Sequence, residues 1–403
     1  MLNSKTIAII KSTVPVLEIH GEKITTRFYK LMFQNHPELL NIFNHINQKK
    51  GRQQAALANV VYAAALHIDQ LENIIPVVKQ IAHKHRSLGV KAEHYPIVGE
   101  HLLLAIKDVL GEAATDEILQ AWGEAYGVIA DAFISIEAEM YEEAEHQQGG
   151  WKDFRHFTVS KKVKESSMIT SFYLKSEDGQ PIPSFLPGQY VSVRVRIAGE
   201  EYTHIRQYSL SDAAGKDYYR ISVKRENEKD KPNGIVSNYL HEEIQEGDTL
   251  ELSAPAGDFV LDPAGDRPVV LISGGVGLTP MMSMLLTSVQ QQPNREVTFI
   301  HATMNGETHA LHNQVKQVST EHPNVKSYVC YQSPTESDYE QQNFQKEGFI
   351  DLAWLQSIIE DKEADFYFCG PVPFMKVINE SLKEWGITDN QIHYEFFGPA
   401  MKL

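Results

Sequence analysis

Three groups of residues in this 403-residue chain have types and spacings suited to chemistry. The first is a histidine on an apolar stripe. Ile74, Val78, Ile81 and His85 are spaced by four, three and four, so they share one face of a helix. His83 lies two residues off that stripe and points away. An inward imidazole is either a hydrogen-bonded core residue or a metal ligand, and the stripe alone leaves both open. The second group is Arg206-Gln207-Tyr208-Ser209, within alternating sequence. On a strand Arg206 and Tyr208 share a face. There a guanidinium can pair with a pyrophosphate and a ring can lie along a planar cofactor; an exposed Arg and Tyr are the alternative. The third is Ser273-Gly274-Gly275-Val276-Gly277-Leu278-Thr279-Pro280, which follows an apolar strand and opens a helix, as a pyrophosphate site requires. It departs from the dehydrogenase fingerprint: Pro280 replaces the third glycine, and no acid ends the second strand. Cys369-Gly370-Pro371 follows another buried strand, and Cys369 reads equally well as a small buried hydrophobe.

The elements that must position these residues fall into three zones. Residues 1–148 carry long periodic segments with breaks at Gly21, Pro37, Gly51, Gly89, Pro96 and Gly111, an all-helical pattern. Segments are expected over 53–71, 72–88, after Tyr95, and over 115–145 with Thr115 as N-cap. After His146-Gln147-Gln148-Gly149-Gly150 the texture alternates, as in Tyr190-Val191-Ser192-Val193 and Tyr219-Arg220-Ile221-Ser222. Residues 151–262 therefore read as antiparallel strands forming a small barrel. From 263 to 403 apolar strands alternate with helices, an α/β domain with a parallel sheet.

Composition bounds the rest. Lys plus Arg number 37 against 53 Asp plus Glu, a net charge of −16, which argues against nucleic acid or an anionic membrane as partner. Cys330 and Cys369 are too few for a disulfide framework, and a reducing cytoplasm is the expected compartment. No transmembrane segment is expected.

The helical zone resembles the globins. His85 matches the proximal histidine, Phe43 the phenylalanine packed on the porphyrin, and Tyr29, Gln53 and Leu57 the distal residues. Tyr29 with Gln53, and Tyr95-Pro96 ten residues after His85, resemble the flavohaemoglobin branch. Residues 151–403 resemble the ferredoxin–NADP reductase superfamily. There Arg206, Gln207, Tyr208 and Ser209 match the flavin motif, Pro187-Gly188-Gln189-Tyr190 the strand entry, and Gly234-Ile235-Val236-Ser237 a phosphate-cradling loop. The stretch 227–232 before that loop reads as a solvated insertion. The order globin, FAD barrel, nicotinamide domain is that of flavohaemoglobins.

This resemblance implies haem b on His85 with Lys84 beside it, and an anionic network of Tyr95 and Glu137 around His85. Sequence alone would place Glu137 in a solvated acidic run with Glu139, Glu142 and Glu143. It implies FAD against Tyr190, Arg206 to Ser209, Gly234, Val236 and Ser237, with Glu395, Phe396, Phe397, Gly398 and Pro399 packed near the ring. It implies NAD(P)H on Gly275, Val276, Gly277, Leu278, Thr279 and Pro280, with Cys369, Gly370 and Pro371 beside the nicotinamide. The implied activity is nitric oxide dioxygenation, with NO and O2 as small-molecule substrates of a monomeric chain. An oxygen sensor or store, a general NADH-driven reductase, and a haem-free helical domain are the alternatives. No Lys or Arg occurs between Arg295 and Lys316, the stretch where this superfamily recognises a 2′-phosphate, so NADH is expected to be favoured over NADPH.

Overall fold

The computed structural model describes residues 2–43, 48, 50–227 and 234–398. Internal packing divides the chain into two units, one of residues 2–154 with 194–206, the other of 155–193 with 207–398. The stretch 228–233, which covers most of the expected insertion, lies outside the described residues.

The first unit is built on α1 (Ser4–Asn35), α2 (Arg52–Leu66), α3 (Ile75–Leu88), α4 (His94–Leu110) and α5 (Asp116–His146). Side chains close the free N–H groups at two helix starts: Asn3 accepts from Thr6 N, and Thr115 from Ile118 N. Gly89 and Gly111, both at positive φ, end α3 and α4. Two expected breaks do not occur. Gly21 is buried inside an unbroken α1, where an added Cβ would sit 3.5 Å from Ala58 Cβ of α2. Two small residues there let the helices approach, so Gly21 serves packing, not termination. Pro96 falls in the first turn of α4, where its missing N–H costs nothing. The segment expected over 53–71 stops at Leu66, and that over 72–88 opens as a 3-10 turn, Leu71–Ile74. Ile10, Phe28 and Met32 of α1 pack with Leu102 and Ile106 of α4 and Trp122 of α5. A smaller cluster joins Val78 of α3 to Tyr95, Ala130 and Phe133.

The flavin-type sheet has six strands: β1 (Phe154–Lys164), β2 (Ile169–Ser176), β3 (Tyr190–Val195), β4 (His204–Ser209), β5 (Tyr219–Lys224) and β6 (Thr249–Ser253). Their order is β4-β3-β6-β1-β2-β5. A bridge between Leu210 and Ile221, with Ser211 N donating to Arg220 O at 2.8 Å, carries the chain after β4 onto β5 and closes the expected barrel. A helix, α6 (Ile235–Glu242), follows β5.

The last part is a parallel sheet, β10-β9-β8-β7-β11-β12, of β7 (Val269–Gly274), β8 (Val297–Thr303), β9 (Val325–Tyr331), β10 (Lys346–Glu347), β11 (Asp365–Cys369) and β12 (Ile392–Glu395). The connecting helices are α7 (Leu278–Gln291), α8 (His312–Glu321), α9 (Glu336–Gln341), α10 (Leu352–Ile358) and α11 (Val372–Glu384). Both faces are covered: Val269 and Leu271 enter one apolar cluster, Val270 and Ile272 the other. That is why β7 reads as an unbroken apolar run. Chain order reverses at β7, which lies between β8 and β11. In open α/β sheets this point, at the carboxyl ends of the strands, is where a ligand crevice forms.

Gly277 shows how tightly that crevice is drawn: a Cβ there would fall 2.1 Å from the carbonyl oxygen of Cys369. Gly277→Ala must therefore push the two strand-end loops apart. We expect a loss of about 1–3 kcal/mol in urea denaturation.

Candidate active site: a histidine–carboxylate relay and two cofactor cradles

In the helical unit the stripe on α3 delivers His85 to the cluster formed by Val78, Tyr95 and Phe133. Glu137, expected from sequence alone to be solvated, is 3 % exposed. Its Oε1 accepts from the Tyr95 hydroxyl at 2.7 Å and lies 2.8 Å from His85 Nδ1. A carboxylate only accepts, so Nδ1 carries the proton and donates. That fixes the ring orientation and leaves Nε2, which makes no hydrogen bond among the described residues, as its outward nitrogen. This is the arrangement of a histidine prepared to bind a metal, with a carboxylate behind it. Tyr95 is held in turn by Tyr126, whose hydroxyl donates to Tyr95 O at 2.6 Å. Burial first, then the Glu137 charge, push the Tyr95 phenol far above its usual pKa, so it stays a donor.

Tyr29 is 7 % exposed, with its ring 5.8 Å from that of Phe43, which meets it edge-on. Burial raises its pKa, and its hydroxyl has no hydrogen-bond partner among the described residues. Gln53, in the first turn of α2, accepts from Gln48 at 2.9 Å. Leu57 is partly buried against the Tyr29 cluster. Lys84 is partly buried, and its carbonyl accepts from Ser87 Oγ. The free Nε2 of His85 and the unpartnered phenol of Tyr29 fit a haem and its ligand.

The residues expected to meet a flavin sit on the barrel. Gly188 has φ +109°, and a Cβ there would lie 2.2 Å from Phe259 O, so only glycine admits the turn before Tyr190. Tyr190 pairs through its backbone with Ala256. On β4, Gln207 donates to the buried Ser192 hydroxyl, and Arg206, Gln207 and Tyr208 are all partly exposed. Ser209 is 5 % exposed and its hydroxyl has no partner among the described residues, so it can serve a flavin. At the start of α6, a Cβ on Gly234 would meet Ser237 Oγ at 2.5 Å. The Ser237 hydroxyl already donates to Gly234 O and accepts from Glu226 N. It shapes the loop, and the first-turn N–H groups near Val236 are what an anion would meet.

At the nicotinamide crevice Gly275 has φ +55° and, like Val276, keeps some exposure. Gly277, Leu278, Thr279 and Pro280 are buried, so they anchor the turn and offer backbone only. Cys369 is fully buried, and burial with the nearby Glu395 pushes its thiol well above the usual range. In the sheet register Cys369 lies beside Ser273 on one side and Glu395 on the other. Gly370 and Pro371 follow directly, and a Cβ on Gly370 would lie 2.6 Å from Phe374. Phe396 packs on the neighbouring apolar cluster, Phe397 is 48 % exposed, and Gly398 N donates to Phe396 O. Pro399 lies outside the described residues.

Sequence reasoning missed two groups. Phe133 lies 5.6 Å from the His85 ring. Tyr126, Ala130, Phe133 and Glu137 repeat the four-three-four spacing of the α3 stripe, and that spacing was the available signal. Arg220, 3 % exposed, donates from β5 to Gln314 of α8 at 3.0 Å and to Ser211. Nothing in the local sequence distinguishes it from an exposed strand arginine.

A helical unit with a carboxylate-backed histidine, joined to a flavin barrel and a nucleotide-binding sheet, defines a globin fused to an oxidoreductase. Known proteins agree: residues 26–133 match the globin family, 156–261 an oxidoreductase FAD-binding domain and 271–380 an oxidoreductase NAD-binding domain. The chain is 67 % identical over 403 residues to the flavohemoprotein of Bacillus thuringiensis subsp. konkukian (strain 97-27), covering 100 % of both chains. It superposes on the crystal structure of flavohemoglobin from Malassezia yamatoensis with bound FAD and heme at TM-score 0.85 and 28 % identity, over 98 % of this chain and 100 % of that one. The FAD/NAD-binding domain of nitric oxide dioxygenase from Vibrio cholerae O1 biovar El Tor matches at TM-score 0.56 and 39 % identity, over 61 % of this chain and 99 % of that one. The chain belongs to the flavohemoprotein family, and haem, FAD and a nicotinamide nucleotide are the cofactors of its domains.

His85→Ala should abolish the Soret band of the purified protein, whereas His83→Ala should keep it. Equal loss in both would show that His85 is not the ligand.

Proposed function

We propose that the chain is a nitric oxide dioxygenase that removes NO in the cytoplasm. The reaction consumes two NO, two O2 and one NAD(P)H, and yields two nitrates, NAD(P)+ and a proton. The observation that carries this reading is the buried Glu137, bonded to His85 and Tyr95 in the same chain as an oxidoreductase unit. When bound, haem supplies a one-electron centre for O2 chemistry, and FAD converts a two-electron hydride into single electrons. No helix among the described residues is long and apolar enough to cross a membrane.

Each half of the chain has its own task. Glu137 orients His85 through Nδ1 and, being anionic, makes Nε2 a stronger donor of electron density, which favours electron-rich chemistry over simple oxygen storage. Tyr95 keeps that carboxylate in place. The Tyr29 hydroxyl donates to O2, holding it where NO can react. Arg206 meets the FAD pyrophosphate, while Tyr208 and Tyr190 lie along the flavin nucleotide and Ser209 donates near its reactive nitrogen. Gly275 and Val276 admit the nicotinamide nucleotide, and Cys369 with Glu395 bounds the place where hydride leaves.

NO consumption under O2, followed with an NO electrode in the presence of NADH, tests the reading. Turnover of NADH that ignores NO would leave a general reductase or oxidase. Tyr29→Phe should leave flavin reduction intact but speed O2 release, with a loss of about 1–3 kcal/mol. Arg206→Ala should instead lose FAD and keep the haem spectrum.

Nucleotide preference follows from the same geometry. Arg295, the nearest preceding base, is 5 % exposed and spent on Arg267 O and Asp262 O. No Lys or Arg remains between it and Lys316 to meet a 2′-phosphate. We expect kcat/KM for NADH to exceed that for NADPH by about tenfold, or ~1.4 kcal/mol. Steady-state rates with both nucleotides at one ionic strength check this, and equal values would count against it.

A further inference from the structure

Outside these sites the nicotinamide sheet holds a row of three imidazoles in ring contact, tilted to one another. The His301 and His309 ring centroids are 4.8 Å apart, and those of His309 and His312 are 4.5 Å apart. His301 is 1 % and His309 6 % exposed, and His312 is partly buried. They line a cavity of about 170 Å³ between β8, β9, α8 and the segment after α9. Lys316, one turn beyond His312 on the same face of α8, stands at its rim, with amides including Asn343 opposite. The chain has 53 acidic side chains, yet no carboxylate lines this cavity. The volume is below the ~300–1,000 Å³ of drug-sized ligand pockets and equals about five or six waters.

The hydrogen bonds leave ring nitrogens to spare. His301 Nδ1 is taken by Ser273 Oγ at 2.8 Å, and His309 Nδ1 by the Tyr331 hydroxyl at 2.9 Å. Their Nε2 atoms and both nitrogens of His312 have no hydrogen bond among the described residues. A cluster of imidazoles with a lysine and amides, and no acid, lacks a counter-charge. The arrangement does not suit a metal, since no group of three ligands converges among the described residues.

We propose that this cavity binds a small inorganic oxyanion of the phosphate type, held by His309, His312 and Lys316. The groups facing the row are Lys316 from α8, Tyr328 and Tyr331 from β9 and Ser273 from β7. Asp338 of α9 bonds to Asn343 of the lining. Its carboxylate is also occupied by Gly306 N and Thr335. Burial above all holds the three imidazoles below their usual pKa, His301 at about 3, helped by neighbouring imidazoles at His301 and His309 and by the Lys316 charge at His312. They are neutral near neutrality, and an anion brings a proton with it. Affinity therefore rises as pH falls.

The test uses the full-length holoprotein and inorganic phosphate, titrated calorimetrically at about pH 8 and about pH 6. We expect saturable binding at the lower pH with Kd of about 1 mM or tighter, weaker binding at the higher pH, and proton uptake on binding. His312→Gln and Lys316→Gln, both at the accessible side of the cavity, should each weaken it about tenfold. Acetate in a parallel titration separates a tetrahedral oxyanion from any carboxylate: equal affinity overturns the assignment to the phosphate type. Absence of saturable phosphate binding at the lower pH, or unchanged affinity in both variants, overturns the site itself.

Discussion

A carboxylate almost wholly removed from water survives only where donors converge on it. In the helical unit that constraint is Glu137. The placement of Tyr95 at the start of α4 and the ring orientation of His85 on α3 both answer to one oxygen atom of Glu137 on α5. Remove the carboxylate and His85 can rotate and Tyr95 loses its acceptor. The surrounding apolar residues, Val78, Ala130 and Phe133, supply the dry setting in which those bonds are strong.

The reductase unit follows a different rule, close backbone approach. Gly277 against Cys369, Gly188 against Phe259 and Gly234 against Ser237 each mark a place where a methyl group would collide. At the nucleotide crevice the parallel register sets Ser273, Cys369 and Glu395 side by side, so three chemical groups scattered through the sequence share one edge of the sheet. Arg206, Tyr208 and Ser209 lie on a separate strand, where alternation sets Arg206 and Tyr208 on one face and Ser209 on the other. Geometry in both sheets comes from strand pairing, not from loops.

Much of this was legible because periodicity survives in a single sequence. The stripe ending in His85, the apolar run of β7 and the alternation around Tyr208 each name an element and a face. Boundaries were less secure: Gly21 reads as a stop by residue type alone, and only its contact with Ala58 shows that it serves a helix crossing. Glu137 was illegible by local context, since its neighbours are acids. The spacing from Tyr126 through Phe133 held the clue, and family likeness supplied it where local reading did not. The buried row of His301, His309 and His312 stayed hidden because it joins a strand, a turn and a helix, which no single period connects.

The order of strands in the nicotinamide sheet has a kinetic consequence. β7 pairs early with β8, its neighbour in sequence, but its other side waits for β11, which follows four helices and three strands. Contacts of such separation are slow to form and are lost early when a chain loosens. The crevice at this edge of the sheet therefore rests on a pairing that bridges a long stretch of sequence. A bound nucleotide, present only on the closed form, biases the balance toward it by mass action. Cofactor supply thus acts on how long the reductase half persists against proteolysis as well as on how fast it turns over.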